Sequence, residues 1–250
     1  MKWFIVNNFH LYSTSEGLTP ISSPIKKQIL SLLTKRGRTQ KEVMENIQRS
    51  QSTTARHLLE LEALRMINSQ VDVNDSRRKI YTLTGELVAT GGKPATQLKT
   101  HMRKVIGKGL ESNGNLMENI NKSLRYVIES WGLSLDEMLR ETGHDIGNQI
   151  SKELGNTNGE MLETLNVIAK FWAENDMGTL EIQKKRPLVI RIESNYDCSG
   201  VPDVGRPLCA MDEGIMEAIL SKRTGKEWKV REFVCHGTGH DHCLFSVKNA

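Results

Sequence analysis

Four cysteines, Cys198, Cys209, Cys235 and Cys243, all fall in the last quarter of this 250-residue chain. Glu232 lies beside them, and His236, His240 and His242 crowd the interval between Cys235 and Cys243. Three thiolates (Cys209, Cys235 and Cys243) with Glu232 as a fourth donor could complete a tetrahedral zinc site. The seven residues between Cys235 and Cys243 exceed the usual zinc knuckle of about 2–4. A strand pair around that interval would instead bring Glu232, Cys235 and Cys243 to one end, and the chain ahead of a helix near residue 212 would have to deliver Cys209. Amides at a helix start lower a thiol pKa, which favours metal ligation or oxidation at Cys209. Cys198 stands outside this set and is the redox candidate, an extra thiol for a disulfide. A chain this long buries a core without crosslinks, and reduced thiols are the rule in cytosol, so metal or redox chemistry is expected before structural disulfides. The plainer alternatives are scattered core cysteines and ordinary surface histidines.

A second group of residues suits contact with nucleic acid. Gln51, Ser52, Thr53, Arg56 and His57 open a predicted helix, and Gln can pair with adenine and Arg with guanine. Arg77, Arg78 and Lys79 sit beside a predicted hairpin turn, where a wing would reach phosphates and position the protein without reading sequence. An exposed polar face and a solvated charge run are the bland readings of the same residues. Charge favours the first: residues 1–97 hold 14 basic and 8 acidic residues, a net +6, while residues 98–250 hold 20 and 22, a net −2. A basic front half is suited to a polyanion such as double-stranded DNA.

The elements that position these groups follow from local rules. A short strand is expected over residues 2–12, then a Ser/Thr/Gly/Pro segment to Ser23. Ser23-Pro24 opens a helix, Thr39-x-x-Glu42 is a capping box, and Ser50–Thr54 starts a third helix. Ile25, Ile29, Leu30, Leu32 and Leu33 face the core from the first, and Val43, Met44 and Ile47 from the second. Ala55, Leu58, Leu59, Leu61 and Leu64 do so from the third. Runs ending at Val73 and resuming at Ile80 around Asn74-Asp75-Ser76 make a hairpin. This order is that of a winged helix-turn-helix, whose third helix enters the major groove.

Gly91-Gly92-Lys93-Pro94 breaks the pattern and separates a DNA-binding domain over 1–90 from a helical linker over 91–129 and a sensor over 130–250. In the linker, Leu98, Met102, Val105 and Ile106 form a stripe that could pack on the following domain or on a second copy of the chain, the second being the expected use, and the break at Ser112-Asn113-Gly114 precedes Met117, Ile120, Leu124, Val127 and Ile128. The remainder reads as α+β. A helix over 134–150 should turn Leu135, Met138, Leu139, Ile146 and Ile150 inward, and one over 158–173 should bury Met161, Leu162, Leu165, Ile168 and Trp172. Strands follow at 179–182 and 188–192, a helix at 212–222, and a hairpin at 228–235 and 243–247.

Two sequence features carry a resemblance. Residues 123–247 are similar to the 4-vinyl reductase-like domain family through Gly200-Val201-Pro202, Gly205-Arg206-Pro207-Leu208-Cys209, Glu232-Phe233-Val234-Cys235 and Gly239-x3-Cys243-x-Phe245-x-Val247. Behind a winged helix, such a domain resembles the archaeal transcription regulators of that architecture, the methanogen redox regulators among them. The resemblance implies helices packed on an antiparallel sheet, and zinc held by Cys209, Glu232, Cys235 and Cys243, as in bacterial activators that sense aromatic compounds. It also implies a cysteine-based redox switch on DNA binding, although this chain carries no cysteine in its DNA-binding half. His240 stands where the family often has Asp.

The expected protein is a cytoplasmic, homodimeric transcription regulator, not an enzyme, responding to redox state or a small effector. Its first residues turn polar too soon for a signal peptide, and no run of about 18 apolar residues occurs. Two alternatives use the same residues. One is a sensor of small hydrophobic ligands with structural zinc and a pocket lined by Met138, Met161, Phe171 and Trp172. The other is an accessory of tetrapyrrole vinyl reduction, disfavoured because the chain has no dinucleotide-binding glycine motif and no evident acid–base pair.

Overall fold

The computed structural model describes residues 8–73, 75–94, 96–111, 116–155 and 159–250. The chain divides into two compact units, Met1–Lys93 and Pro94–Ala250. The expected strand residues 2–7, Asn74 of the hairpin turn, the break at 112–114 and residue 158 lie outside the described residues, as do the side chains of Val105 and Met117.

The first unit runs β1 (Phe9–Thr14), β2 (Gly17–Ile21), α1 (Pro24–Leu33), β3 (Arg38–Thr39), α2 (Gln40–Ile47), α3 (Gln51–Ala63), β4 (Ile67–Asp72), β5 (Asp75–Leu83) and β6 (Glu86–Gly91). Each helix start has its side-chain cap. Ser23 accepts the Lys26 amide at 3.4 Å ahead of Pro24, and Ser50 accepts that of Thr53 at 3.3 Å. Thr39 and Glu42 cap reciprocally, at 3.3 and 2.8 Å. The α2–α3 turn uses Gln48 in the left-handed region, φ 52°. Ile29, Leu30, Val43, Leu58, Leu61 and Met66 are fully buried between the helices and the β3-β5-β4 sheet. Leu59 and Leu64 do not join them: Leu59 is 64% exposed, because the buried face of α3 follows Thr54, Leu58 and Leu61. The polar segment after β1 is not a loop. β2 pairs with β1 from His10↔Ile21 to Thr14↔Gly17, and β6 closes on the other side of β1.

The second unit comprises α4 (Thr96–Glu111), α5 (Leu116–Ser130), β7 (Leu133–Ser134), α6 (Asp136–Glu153), α7 (Met161–Glu174), β8 (Thr179–Lys185), β9 (Leu188–Glu193), α8 (Ala210–Thr224), β10 (Trp228–Val234), a 3-10 turn at His236–Thr238 and β11 (His242–Asn249). The last four long strands form an antiparallel sheet in the order β10-β11-β9-β8. Leu98 and Met102 are buried in this unit's core with Trp172, Ile190, Ile219 and Phe245. Of the two uses open to this stripe, packing on the following domain is therefore the one observed and burial between two chains is not, and α4 is part of the second unit rather than a free linker.

Helix α8 is the centre of the unit, with eleven of its fifteen residues buried, and it packs against α6, α7 and β10. The face of α6 that meets it is not the apolar one expected. Gly143, Gly147 and Ser151 are buried, whereas Met138 and Ile146 are exposed. A Cβ at Gly143 would lie 2.2 Å from the Met211 carbonyl oxygen, and one at Gly214 would lie 2.1 Å from that of Arg140. The two helices touch backbone to backbone, leaving no room there for a larger side chain.

Carboxylates of α8 also close the sheet edge. Glu213 accepts the Glu232 amide at 2.7 Å, and Glu217 accepts the Val230 amide at 2.8 Å. Four residues of helix rise about 6 Å and two residues of strand about 6.7 Å, so the spacings match. Arg140 pairs with Glu213, and Arg231 with Glu217 at 2.7 Å, which balances the buried charge. The unpaired amides of an edge strand are thereby satisfied.

Candidate metal centre and nucleic-acid interface

The four segments carrying cysteines converge at the start of α8. One donor atom each from Cys198, Cys209, Glu232 and Cys235 lies within 4.8 Å of all the others. The Cys243 sulfur is 3.2 Å from that of Cys198 and 3.9 Å from that of Cys209. Three of the predicted ligands, Cys209, Glu232 and Cys235, share this group with Cys198, expected to stand apart, while Cys243 lies against Cys198 and Cys209 but outside the group of four. All four thiols are free and buried. The reason for Cys198 is local. Asn195 accepts the amides of Asp197 and Cys198 at 2.8 and 3.4 Å and donates to Asp212 on α8 at 2.6 Å, folding the loop after β9 back over the helix.

Cys209 is delivered by a loop docked on Gly237. The Gly237 carbonyl accepts the amides of Val204, Gly205 and Arg206 at 2.9, 3.0 and 3.2 Å. A Cβ on Gly237 would come within 2.5 Å of the Arg206 carbonyl. Glu232 sits where the β10–β11 register slips, between Glu232 and Val234, and such a bulge re-aims a side chain. Its Oε2 accepts the Leu208 and Cys209 amides at 2.9 and 3.0 Å, while Oε1 is buried without a partner.

Burial, and then the charge of Cys235, pushes the Glu232 carboxyl up to about 8. Burial also drives the Cys209 thiol well above its ordinary value. Hydrogen bonds from Cys198 and Cys209 hold the Cys243 thiol below its own. Crowded acids with an orphan oxygen fit a divalent cation, which would supply the missing partner and favour the ionised forms. Sulfurs at about 2.3 Å from a tetrahedral zinc stand about 3.8 Å apart, and the observed 3.2 and 3.9 Å bracket that spacing. The loop histidines have other partners: His236 Nδ1 accepts the Gly200 amide at 3.3 Å, His240 meets Thr238 at 3.1 Å, and His242 meets Asp241 at 2.7 Å.

In the first unit the starts of α2 and α3 and the base of β5 line one groove, with Gln40, Lys41, Gln51, Arg77, Arg78 and Lys79 on its walls. Gln51, Ser52 and Arg56 are exposed or nearly so, and Thr53 is half-exposed. Arg77 and Arg78 reach Asp75 at 3.2 and 3.1 Å yet remain open to solvent, Arg77 by 90% of its side chain. His57 is only 8% exposed and lies on the buried face of α3. It cannot reach a base edge, because the helical period puts it with Thr54 and Leu58 rather than with Ser52 and Arg56.

The vinyl-4-reductase (V-4-R) domain family matches residues 188–249, a stretch that contains all four cysteines and Glu232. Uncharacterized protein MJ0745 of Methanocaldococcus jannaschii is 31% identical over 172 residues, 68% of this chain and 89% of that protein. Uncharacterized protein MJ1642 of the same organism is 30% identical over 139 residues, 55% of this chain and 81% of that protein. The chain belongs to this vinyl-4-reductase domain family. Among solved structures, a vinyl-4-reductase family protein from Methanocaldococcus jannaschii aligns with 62% of this chain and 93% of its own, at 18% identity and a TM-score of 0.38. The S. aureus MepR–DNA complex aligns with 42% of this chain and 80% of its own, at 24% identity and a TM-score of 0.24.

Within the vinyl-4-reductase unit the expected ligand pocket is not assembled. Trp172 is fully buried in the core, Met161 and Phe171 pack against that core, and Met138 is exposed on α6. Arg125 and Asn195, which no sequence motif marks, organise the cysteine loops. Among the described residues no helix is long and apolar enough to cross a membrane.

Proposed function

We propose that this chain is a cytoplasmic transcription regulator, not an enzyme, that binds double-stranded DNA through its first unit and senses its surroundings through the cysteine cluster of the second. The carrying observation is the groove that joins the exposed start of α3 to the three basic residues of the wing. Gln51, Ser52, Thr53 and Arg56 are placed to read base edges, and Arg77, Arg78 and Lys79 to hold phosphates. Footprinting on the chain's own upstream DNA, with and without reductant, tests binding and response together. Arg78→Ala should weaken all sequences and flatten the salt dependence. Equal protection by parent and variant across salt concentrations would reject the groove.

The metal we assign to the cluster is zinc, because thiolate sulfur and carboxylate oxygen are both donors it takes in tetrahedral sites. Cys209, Glu232, Cys235 and one or both of Cys198 and Cys243 would hold it. Bound there it would tie the start of α8 to β10 and stabilise the sensor, since binding energy becomes folding energy. The Cys198–Cys243 pair supports a redox response. A peroxide-type oxidant would take two electrons and two protons from these thiols, forming the S–S bond and water and withdrawing donors from the metal.

A homodimer matches the two half-sites that such regulators read. With Leu98 and Met102 buried in their own chain, the surface we assign is the outer face of α5. There Ile120, Leu124 and Val127, with Trp131 just past the end of the helix, are exposed at the four-three-four spacing of a helix–helix seam.

A further inference from the structure

We infer that α5 positions the cysteine cluster, with Arg125 as its central positioning residue, so that the seating of α5 and the closure of the cluster are one equilibrium. Between Glu193 and Ala210 the chain has no strand or helix, yet this stretch carries both Cys198 and Cys209. Side chains from one face of α5 hold it. Lys122 donates to the Ser199 carbonyl at 3.2 Å, and Tyr126 donates its hydroxyl to the Asp197 carbonyl at 3.0 Å. The Arg125 guanidinium pairs with the Asp197 carboxylate and donates to the Leu208 carbonyl. Glu129 meets Arg206 at 2.5 Å.

Residues 122, 125, 126 and 129 share a helical face. Arg125 joins the two loops, reaching Asp197 one residue before Cys198 and Leu208 one residue before Cys209. Helix α4 adds a contact on the same loop, His101 Nε2 to the Gly200 oxygen at 2.5 Å. None of these α4 and α5 residues lies in the stretch that matches the family, 188–249.

The consequence is reciprocal, as any coupling must be. Loss of metal or oxidation of the thiols displaces the loops and loosens α5, and loosening α5 opens the cluster. Helices α4 and α5 follow the first unit directly in the chain, and the outer face of α5 carries the apolar stripe. The biological use of this coupling rests on the sensor reading above; the coupling itself does not.

The test uses full-length, reduced protein with three readouts: reaction rate of the buried thiols with a chromogenic disulfide, affinity for cobalt(II) followed by its ligand-field absorption, and hydrogen exchange across residues 116–130. Arg125→Gln should raise thiol reactivity and weaken cobalt binding by about tenfold or more, the scale of ordinary coupling between sites. Arg125→Lys should restore part of both, and Asn121→Ala, exposed on the same helix, should match the parent. Metal removal from the parent should speed exchange across α5 by a similar factor. Tyr126→Phe, which removes one hydrogen bond, carries the same readouts if Arg125→Gln fails to fold. Parent-like thiol reactivity in both variants would overturn the inference even if metal binds. A parent that binds no metal would reject the zinc reading while leaving thiol reactivity to decide the coupling.

Discussion

Replacing Glu232 by Gln separates two roles that the structure gives one side chain. Its Oε2 holds the chain just ahead of α8 through the Leu208 and Cys209 amides, and its Oε1 is buried without a partner. Gln keeps the accepting oxygen and removes the acid. In the metal-free protein the folded carboxyl is raised from 4.5 to about 8. The native state therefore keeps a proton that the unfolded chain has released, and stability falls as pH rises through that window, by about 1.4 kcal/mol per pH unit. From pH 6 to 8 the parent should lose on the order of 3 kcal/mol relative to Glu232→Gln. Asp212, raised to about 6 by burial, titrates in both proteins and cancels in the difference. Urea unfolding of reduced, metal-free protein at the two pH values, followed by the fluorescence of buried Trp172, measures it. With zinc the order reverses: the variant lacks a charged donor, and its affinity should fall by at least about 10–100-fold, the effect of losing even an outer partner of a ligand. A parent–variant difference that is flat from pH 6 to 8 would refute the burial argument. Unchanged zinc affinity would reduce Glu232 to an anchor for the Leu208 and Cys209 amides.

Three further outcomes follow from the packing. Gly143→Ala must push α6 from α8, since its Cβ would sit 2.2 Å from the Met211 carbonyl oxygen; thermal unfolding should show a loss of about 1–3 kcal/mol or more. His57→Ala should cost stability yet leave base preference unchanged, whereas Arg56→Ala should relax preference at one position by about 1–3 kcal/mol in binding titrations on single-base operator variants. Leu124→Lys should give a monomer by light scattering at micromolar concentration, while Leu98→Ala should leave the dimer and lower stability by about 2–5 kcal/mol.

What is legible in the sequence is what neighbouring residues decide. The three N-terminal helices begin at Ser23, Thr39 and Ser50 because each cap closes within three residues, and such bonds depend on nothing distant. The strands β2 and β6 are illegible for the opposite reason. Gly17–Ile21 is short, and its exposure shows no clear alternation, so only its partner strand makes it one. The inward face of α6 escapes periodicity because periodicity counts apolar bulk, while the approach of α8 there requires its absence. Gly143 and Gly147, four apart, are the available sign of close helix contact. Position in the motif puts His57 on the wrong face of α3, where the 3.6-residue period with Leu58 and Leu61 buries it.

The cysteine cluster shows the same division. Glu232, Cys235 and Cys243 belong to one hairpin, so their proximity follows from a local strand pair, and Cys209 joins them because Glu232 accepts its amide just ahead of α8. Cys198 has no such local tie. Its place depends on Asn195 reaching Asp212 at 2.6 Å and on Arg125 bridging to Leu208, contacts that span 17 and 83 residues and leave no periodic trace. Its arrival changes the chemistry, because four thiols and a carboxylate offer five donors where a tetrahedral metal takes four. With a tetrahedral metal bound, one donor would be in excess, and Cys243, outside the four-donor group, 3.2 Å from Cys198 and with the lowered thiol pKa, would be the thiolate placed to attack a Cys198 sulfur oxidised by peroxide. On the proposed zinc and redox reading, the spare donor would make ligand exchange and disulfide formation competing outcomes at a single site, with α5 clamped to the loops that would decide between them.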